Sequence, residues 1–407
     1  VRVCLVTQWF PPEPGTMVPS AIAQSLQDLG HTVDVLTGFP NYPTGRLPEG
    51  WRVRPYQRDV ISDDLTIHRA PLYPSHDANA VRRMANYVSF AAGASLVANT
   101  RVPQPDAWLI YSSPATAALP AMLARRGFRA PRAMIVQDLW PDSVTGSGMV
   151  DGLSGKIIGG SLGAFCRASY RSCGAIGVIS PGMADVLQAR GVPADKIHYT
   201  PNSVDDSFLM GAEPVDWRAE ISLPEGLVFL YAGNIGPLQD LVPLVRAFAG
   251  IERAHLVIVG DGVARDAVED AAAGMPNVHL RPAVGSAEIG RLIMGADVQV
   301  VSLQDTPLMR VTMPSKVQTS LASGRPVLVH AAGDPAELVT AAGAGWSSPP
   351  GDVEATQHVL RRILSTSVEQ RLAAGQRARM LFEANFTTTA ALTHLHELLD
   401  YAGRGGK

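Results

Sequence analysis

Residues 227–240 read LVFLYAGNIGPLQD. The apolar run Leu227–Ala232 predicts a buried strand. Gly233, Gly236 and Pro237 then punctuate the chain, and a helical pattern covers Leu238–Phe248. A strand handing over to a helix through a glycine turn is the opening of a βαβ unit. Such units build parallel sheets whose ligands bind at the carboxyl ends of the strands. Here Gly233 and Gly236 let the backbone approach a ligand, and the following helix offers free N–H groups and a positive dipole end to an anion. The plainer reading is a tight turn whose glycines serve geometry alone.

Outward from this stretch the pattern repeats. Downstream, strands are expected at Ala254–Val259, Val278–Arg281, Val298–Ser302 and Pro326–His330. Helices are expected at Val263–Ala273, Ser286–Met294, Pro314–Ser323 and Pro335–Ala342. Three further helices follow at Val353–Ser365, Val368–Asn385 and Thr388–Tyr401. The tail Gly403–Lys407 reads as frayed. Upstream, a separate series of strands is expected at Val1–Thr7, Thr32–Thr37, Leu65–Ala70, Trp108–Ser112, Ala133–Asp138, Ala175–Ser180 and Lys196–Thr200, with helical patterns such as Pro19–Leu29 and Val81–Ala98. It has its own opening, VTQWFPPEPGTMVPS at 6–20. The aperiodic segment Tyr199–Asp216 reads as a linker. Two α/β domains are therefore expected, with parallel sheets facing across a cleft and a boundary near Ser203.

The bulk numbers fit two globular domains. The chain has 407 residues, 46% hydrophobic and 17% charged. A net charge of -3 gives no basic field for nucleic acid. Cys4, Cys166 and Cys173 form no disulfide framework and match no metal spacing. No signal peptide is visible and no apolar stretch reaches the ~20 residues of a membrane span, so the expected compartment is the cytoplasm.

Several motifs sit at strand ends. In MPSKVQTSLASGRP, residues 313–326, Pro314 starts a helix with Ser315 and Lys316 in its first turn. A lysine there opposes the helix dipole unless an anion neutralises both, which marks Lys316 as a diphosphate partner rather than a solvated surface lysine. In VQDLWPDS, residues 136–143, Asp138 could orient or deprotonate an acceptor hydroxyl, with turn or N-cap as the plain reading. Trp140 could form a sugar platform or simply pack in the core. In GFPNYPTG, residues 38–45, Asn41 and Tyr42 are acceptor candidates in a loop that could equally be structural. VGDG, residues 259–262, could hold a base ring, with Asp261 expected to cap the next helix. In GDPAEL, residues 333–338, Glu337 stands where capping and ligand roles compete. The adjacent Asp205 and Asp206 read as solvated. No Walker loop, HExxH, CxxC, GxSxG or dinucleotide fingerprint appears.

Taken together, the chain resembles the retaining glycosyltransferases of family 4, with the GT-B fold, and is most similar to their bacterial L-fucosamine or colanic-acid-type branch. The matching stretches are QWFPPEPG near Gln8, LTGFPNYPTG near Gly38 and QDLWPDS near Asp138. They continue with the long run VISPGMADVLQARGVPADKIHYTPNSVD from Val178, then YAGNIGPLQDL, VIVGDG, ADVQVVSL and MPSKVQTSLASGRPV. The resemblance implies an acceptor-binding domain over 1–203, completed by a C-terminal helix of about 386–407 that crosses back, and a donor domain over 204–385. It implies donor contacts at Gly233, Asn234, Gly236, Gln239, Ser315, Lys316, Thr319 and Glu337, and places Gly15 near the phosphates and Asp138 near the transferred sugar. No metal or other cofactor is expected. Two departures stand out. Asn234 and Gln239 occupy places where many members carry Arg and Lys, and Val311 and Thr319 occupy the places of a paired glutamate motif. The nucleotide is thus left open, although UDP is favoured.

The expected reaction is transfer of a sugar from a nucleotide-sugar to a hydroxyl of a glycan, lipid-linked or small-molecule acceptor. Rivals are a UDP-sugar 2-epimerase of similar fold and a non-catalytic binder of nucleotide-sugars or glycans. Peripheral membrane contact is a further expectation: Arg82 and Arg83 precede the apolar part of Val81–Thr100, and Arg125, Arg126, Arg129 and Arg132 cluster in sequence. Core helix and solvated turn are the plain alternatives.

Overall fold

The structure, a computed structural model, describes residues 1–76, 80–145 and 152–404. The last residues of the expected frayed tail, 405–407, lie outside them. The chain divides into two compact units, Val1–Asn202 with Ala391–Lys407, and Ser203–Ala390.

In the first unit the strands are β1 (Arg2–Val6), β2 (Thr32–Gly38), β3 (Gln57–Ser62), β4 (Leu65–Ala70), β5 (Ala107–Ser112), β6 (Arg132–Val136), β7 (Ala175–Val178) and β8 (Ile197–Tyr199). They form one sheet in the order β3-β4-β2-β1-β5-β6-β7-β8. All pairs are parallel except β3 with β4. The chain works outward from β1 in one direction and then returns to β5 on its other side. The topological switch therefore falls between β1 and β5, where ligands bind in open α/β sheets. The loops beyond β1, β2, β5 and β6 carry cis bonds before Pro12, Pro43, Pro114 and Pro141.

The second unit has β9 (Leu227–Ala232), β10 (Ala254–Val259), β11 (Val278–Arg281), β12 (Val298–Ser302), β13 (Val327–His330) and β14 (Gly345–Ser348). Its order is β11-β10-β9-β12-β13-β14, all parallel, with the switch between β9 and β12. Both faces are covered. Val228 and Leu230 enter one buried cluster while Phe229 and Tyr231 enter the other, which is why β9 reads as a continuous apolar run rather than an alternating one. Helices Val353–Ser365 and Val368–Asn385 follow, the second opened by a reciprocal Ser367–Gln370 capping box.

Two strands escaped the sequence reading. β3 is mostly exposed along its length and pairs antiparallel at the sheet edge. β14, GWSS, is a short polar edge strand that adds beside β13. Neither buries an apolar row, so neither leaves the pattern by which strands are found. The helix Thr388–Arg404 packs on the first unit. Leu395, Leu398 and Ala402 are buried, Tyr401 stacks on His198 at 4.1 Å between centroids, and a Cβ on Gly174 would fall 2.7 Å from the Ala402 carbonyl oxygen.

Candidate functional site

In the second unit the carboxyl ends of the strands around the β9–β12 switch open into a cavity of about 620 Å³. Gly233 follows β9 and Gly260 follows β10, and both are in its wall. Neither could carry a side chain. A Cβ on Gly233, where φ is +139°, would fall 2.3 Å from Lys316 Cε, and one on Gly260, where φ is +157°, would fall 1.9 Å from the Gly233 carbonyl oxygen. The two turns are bound together: Gly233 N–H donates to Val259 O and Ile235 N–H to Asp261 O, each at 2.8 Å.

Lys316 enters from the first turn of the helix Ser315–Ala322. Its Nζ donates to the Tyr231 hydroxyl and stands 3.7 Å from the centroid of that ring. The Tyr231 hydroxyl in turn donates to Asn234 O at 2.6 Å. Burial pushes the amine down to about 7, and burial raises the Tyr231 phenol. A lysine half-protonated near neutrality, held at a helix N-terminus beside the Gly233 turn, is an anion site whose charge responds to its occupant. Ser315, Thr319 and Ser320 add hydroxyls along the same wall, while Phe208, Val284 and Ile289 supply an apolar side.

Of the residues expected to hold a donor, Gly233, Asn234, Ser315, Lys316 and Thr319 line this cavity. Gly236 and Gln239 stand outside its wall and brace it: Asn234 Nδ2 donates to Gln239 Oε1 at 3.0 Å, and a Cβ on Gly236 would meet both side chains. Glu337 is an exposed first-turn residue of the helix Asp334–Ala341 and is not in the wall. Contrary to expectation, Asp261 does not cap the helix Arg265–Ala272. Its carboxylate accepts from Gly262 N at 2.8 Å. Asp206 is not merely solvated either, since it pairs with Arg379 at 2.6 Å. Tyr231 and Phe208 are the residues that sequence reasoning missed. The first looked like one more core aromatic, and the second lay in the linker.

In the first unit the ends of β1, β2, β5 and β6 carry the other expected residues. Asp138 follows β6 and accepts a hydrogen bond from Ser113 Oγ, beyond β5, at 2.6 Å. Protein crowds the carboxyl and raises it, and the Ser113 hydroxyl opposes that. Gly15, at φ +75°, lies against Tyr42, whose ring packs 4.7 Å from His76 and 5.4 Å from Trp9.

Asn41 and Trp140 do not present themselves to a ligand as expected. Asn41 is 1% exposed, donates to Phe39 O and accepts from Asn86 Nδ2. Trp140 is 5% exposed and packs edge-on against Tyr87 at 5.6 Å. Both shape the loops from behind. The residue that ties these loops together is Glu13, which no motif signalled. Its Oε1 accepts from the backbone N–H groups of Asn41 at 2.7 Å and Tyr42 at 2.8 Å, and its Oε2 from Phe10 N at 3.2 Å. Burial raises this carboxyl, opposed by those three N–H groups and by Arg69. Buried Arg69 braces the same loops through Pro11 O at 2.7 Å and Gly38 O at 3.3 Å.

No group of three or more metal-ligating side chains occurs among the described residues. No described helix is long and apolar enough to cross a membrane.

Comparison with known proteins bears on both units. A family model described as a glycosyl transferase 4-like domain matches residues 15–203, and one described as glycosyl transferases group 1 matches residues 226–366. Over 332 residues the chain is 27% identical to the putative colanic acid biosynthesis glycosyl transferase WcaI of Escherichia coli, covering 78% of each chain. Over 361 residues it is 24% identical to a GDP-mannose-dependent alpha-mannosyltransferase of Mycobacterium tuberculosis, covering 87% of this chain and 85% of that one. The structure of HepE from Anabaena, solved in complex with UDP, matches with a TM-score of 0.68 at 14% identity, over 98% of this chain and 100% of that one. This last likeness is one of fold.

Proposed function

The chain belongs to the glycosyltransferases, joining a glycosyl transferase 4-like domain to a group 1 domain, and from that premise we propose that it moves a sugar with retention from a UDP-sugar to a hydroxyl of a glycan, lipid-linked or small-molecule acceptor. The observation that carries this reading is the meeting of Lys316 with the Gly233 and Gly260 turns in the 620 Å³ cavity of the second unit. That corner suits a diphosphate, and the apolar side near Phe208 and Val284 suits a base. Support for UDP comes from the complex in which the Anabaena protein was solved. The GDP-mannose dependence of the mycobacterial relative makes GDP the nucleotide to test against it.

In the proposed reaction the bond from the anomeric carbon to the diphosphate breaks as the acceptor hydroxyl attacks from the same face. The transition state resembles an oxocarbenium ion. Lys316 and the amino end of the helix Ser315–Ala322 neutralise the departing diphosphate, and no metal is invoked. The first unit, Val1–Asn202 with the terminal helix, is the acceptor side. There Asp138, its carboxyl raised by burial, orients the hydroxyl or takes its proton, and Tyr42 and the Gly15 loop border the acceptor.

Peripheral membrane contact belongs to the same proposal. Val81, Val88 and Leu96 are exposed along one side of the helix Ala80–Thr100, and Leu123 and Phe128 are exposed beside Arg125, Arg126 and Arg129. Arg132 is instead committed to the carbonyls of Ala121 and Phe128. Three free, buried cysteines suit a reducing cytoplasm as the compartment.

A thermal-shift panel of UDP-, GDP-, ADP- and dTDP-sugars tests the donor, because a ligand that binds only the folded chain raises its melting point. Stabilisation by GDP-sugars alone would replace UDP in this reading. Asp138→Asn should lower turnover at least about tenfold with donor affinity unchanged. An unchanged turnover would remove Asp138 from the chemistry. Sugar analysis after incubation with UDP-GlcNAc and no acceptor separates the epimerase reading, and tight donor binding without UDP release under any acceptor would mark a binder.

A further inference from the structure

Arg167 and Arg171 stand one turn apart near the end of the helix Gly152–Ser172, a spacing that sets both on one side of it. Both are exposed, and neither forms a hydrogen bond or ion pair among the described residues. Two like charges at this spacing repel unless something lies between them. Together with Tyr170, Arg190 and Lys196 they line a cavity of about 230 Å³ whose described lining contains no carboxylate. The cavity lies where the helices Gly152–Ser172 and Pro181–Ala189 lead into β7 and β8, and its Arg190 reaches Trp140 and Asp142 of the Asp138 loop.

The remaining walls are pre-set. Arg190 is held by the Trp140 carbonyl at 2.7 Å and by Asp142. Lys196 Nζ spends one of its three protons on Cys173 O at 3.0 Å, leaving two free to donate. Complementing the helix carbonyl ends accounts for Lys196 and for Arg171 in the last turn. It does not account for Arg167, a turn further in, since the dipole field fades beyond the last turn.

We propose that this cavity binds a phosphoryl anion, a phosphomonoester or diphosphate carried by a free metabolite or by a lipid headgroup. The two unpaired guanidinium groups are the bidentate donors, and Lys196 supplies a third charge. The site shares no residue with the cavity around Lys316 and does not depend on the donor reading.

The test uses the full chain with inorganic pyrophosphate in titration calorimetry and with phosphatidic acid vesicles, which carry a phosphomonoester headgroup, in sedimentation. Titrated into Lys316→Met, whose donor corner no longer competes for it, pyrophosphate should bind one to one, weaken with added salt and fall at least about tenfold when the Arg167→Ala/Arg171→Ala pair is added. Both arginines are exposed, so the double variant should keep the wild-type melting temperature, which is measured alongside. If free anion does not bind but the vesicles retain the wild type and release the double variant, the source is a headgroup and the site stands. Binding to Lys316→Met that the added Arg167→Ala/Arg171→Ala pair leaves intact, or no binding of either probe, overturns the proposal.

Discussion

Lys316 concentrates the electrostatics of the second unit. Its amine is pushed down to about 7 by burial, far below the ~10.4 of a free lysine. Between those values the unfolded chain binds the extra proton, so without ligand the stability of the second unit should rise as pH rises from about 7 toward 10. Donor binding has the opposite sign. A diphosphate favours the ammonium, binding takes up a proton, and affinity for a UDP-sugar should fall about tenfold or more from pH 6 to pH 9. Calorimetry in buffers of different ionisation enthalpy reads that proton directly. Flat affinity over this range would mean that the amine does not meet the phosphates. Gly233→Ala tests the same corner by sterics. Its Cβ would displace Lys316 Cε and hold a side-chain-bearing residue at φ +139°, so donor affinity should drop and the unit should lose about 1–3 kcal/mol. Gly260→Ala meets backbone instead and should destabilise by about 1–3 kcal/mol. Lys316 was legible in the sequence because a cation at a helix start runs against the dipole. Its partner Tyr231 was not, because an aromatic in an apolar strand carries no mark of where its hydroxyl will reach.

At the scale of elements, the loops beyond β1 and β2 are one body because of Glu13. Three backbone N–H groups depend on its two oxygens. Glu13→Ala should cost about 1–3 kcal/mol through unsatisfied buried donors and speed hydrogen exchange at the Asn41 and Tyr42 amides. Unchanged exchange there would show that the loops hold without it. The central strands of both sheets were legible as apolar runs, and the helices Val353–Ser365 and Val368–Asn385 have the bounds expected of them. The edge strands β3 and β14 were not, since an edge that faces water needs no apolar row. Glu13 escaped for a related reason. In PPEPG it looks like a turn residue, and only the fold brings Asn41 and Tyr42 to its carboxylate.

At the scale of the whole molecule, two switch points of the same kind are built twice in one chain, and the terminal helix belongs with the first unit although it follows the second in sequence. Leu398, fully buried beneath that helix, is where its attachment can be probed. Leu398→Ala should cost about 2–5 kcal/mol and lower a melting transition of the first unit while UDP-sugar binding by the second survives. Loss of both together would show that the two units unfold as one. The repeated strand–turn–helix openings made this architecture readable, whereas the donor sugar and the acceptor depend on loop shapes that residue types do not encode. The account as a whole rests on a diphosphate docking at Lys316, and the most direct measurement is the calorimetric titration of UDP-sugar into wild type and Lys316→Met at pH 7. It predicts one-to-one binding by the wild type and a loss of at least about tenfold in the variant at unchanged stoichiometry and fold. Equal affinity for the two proteins would contradict it.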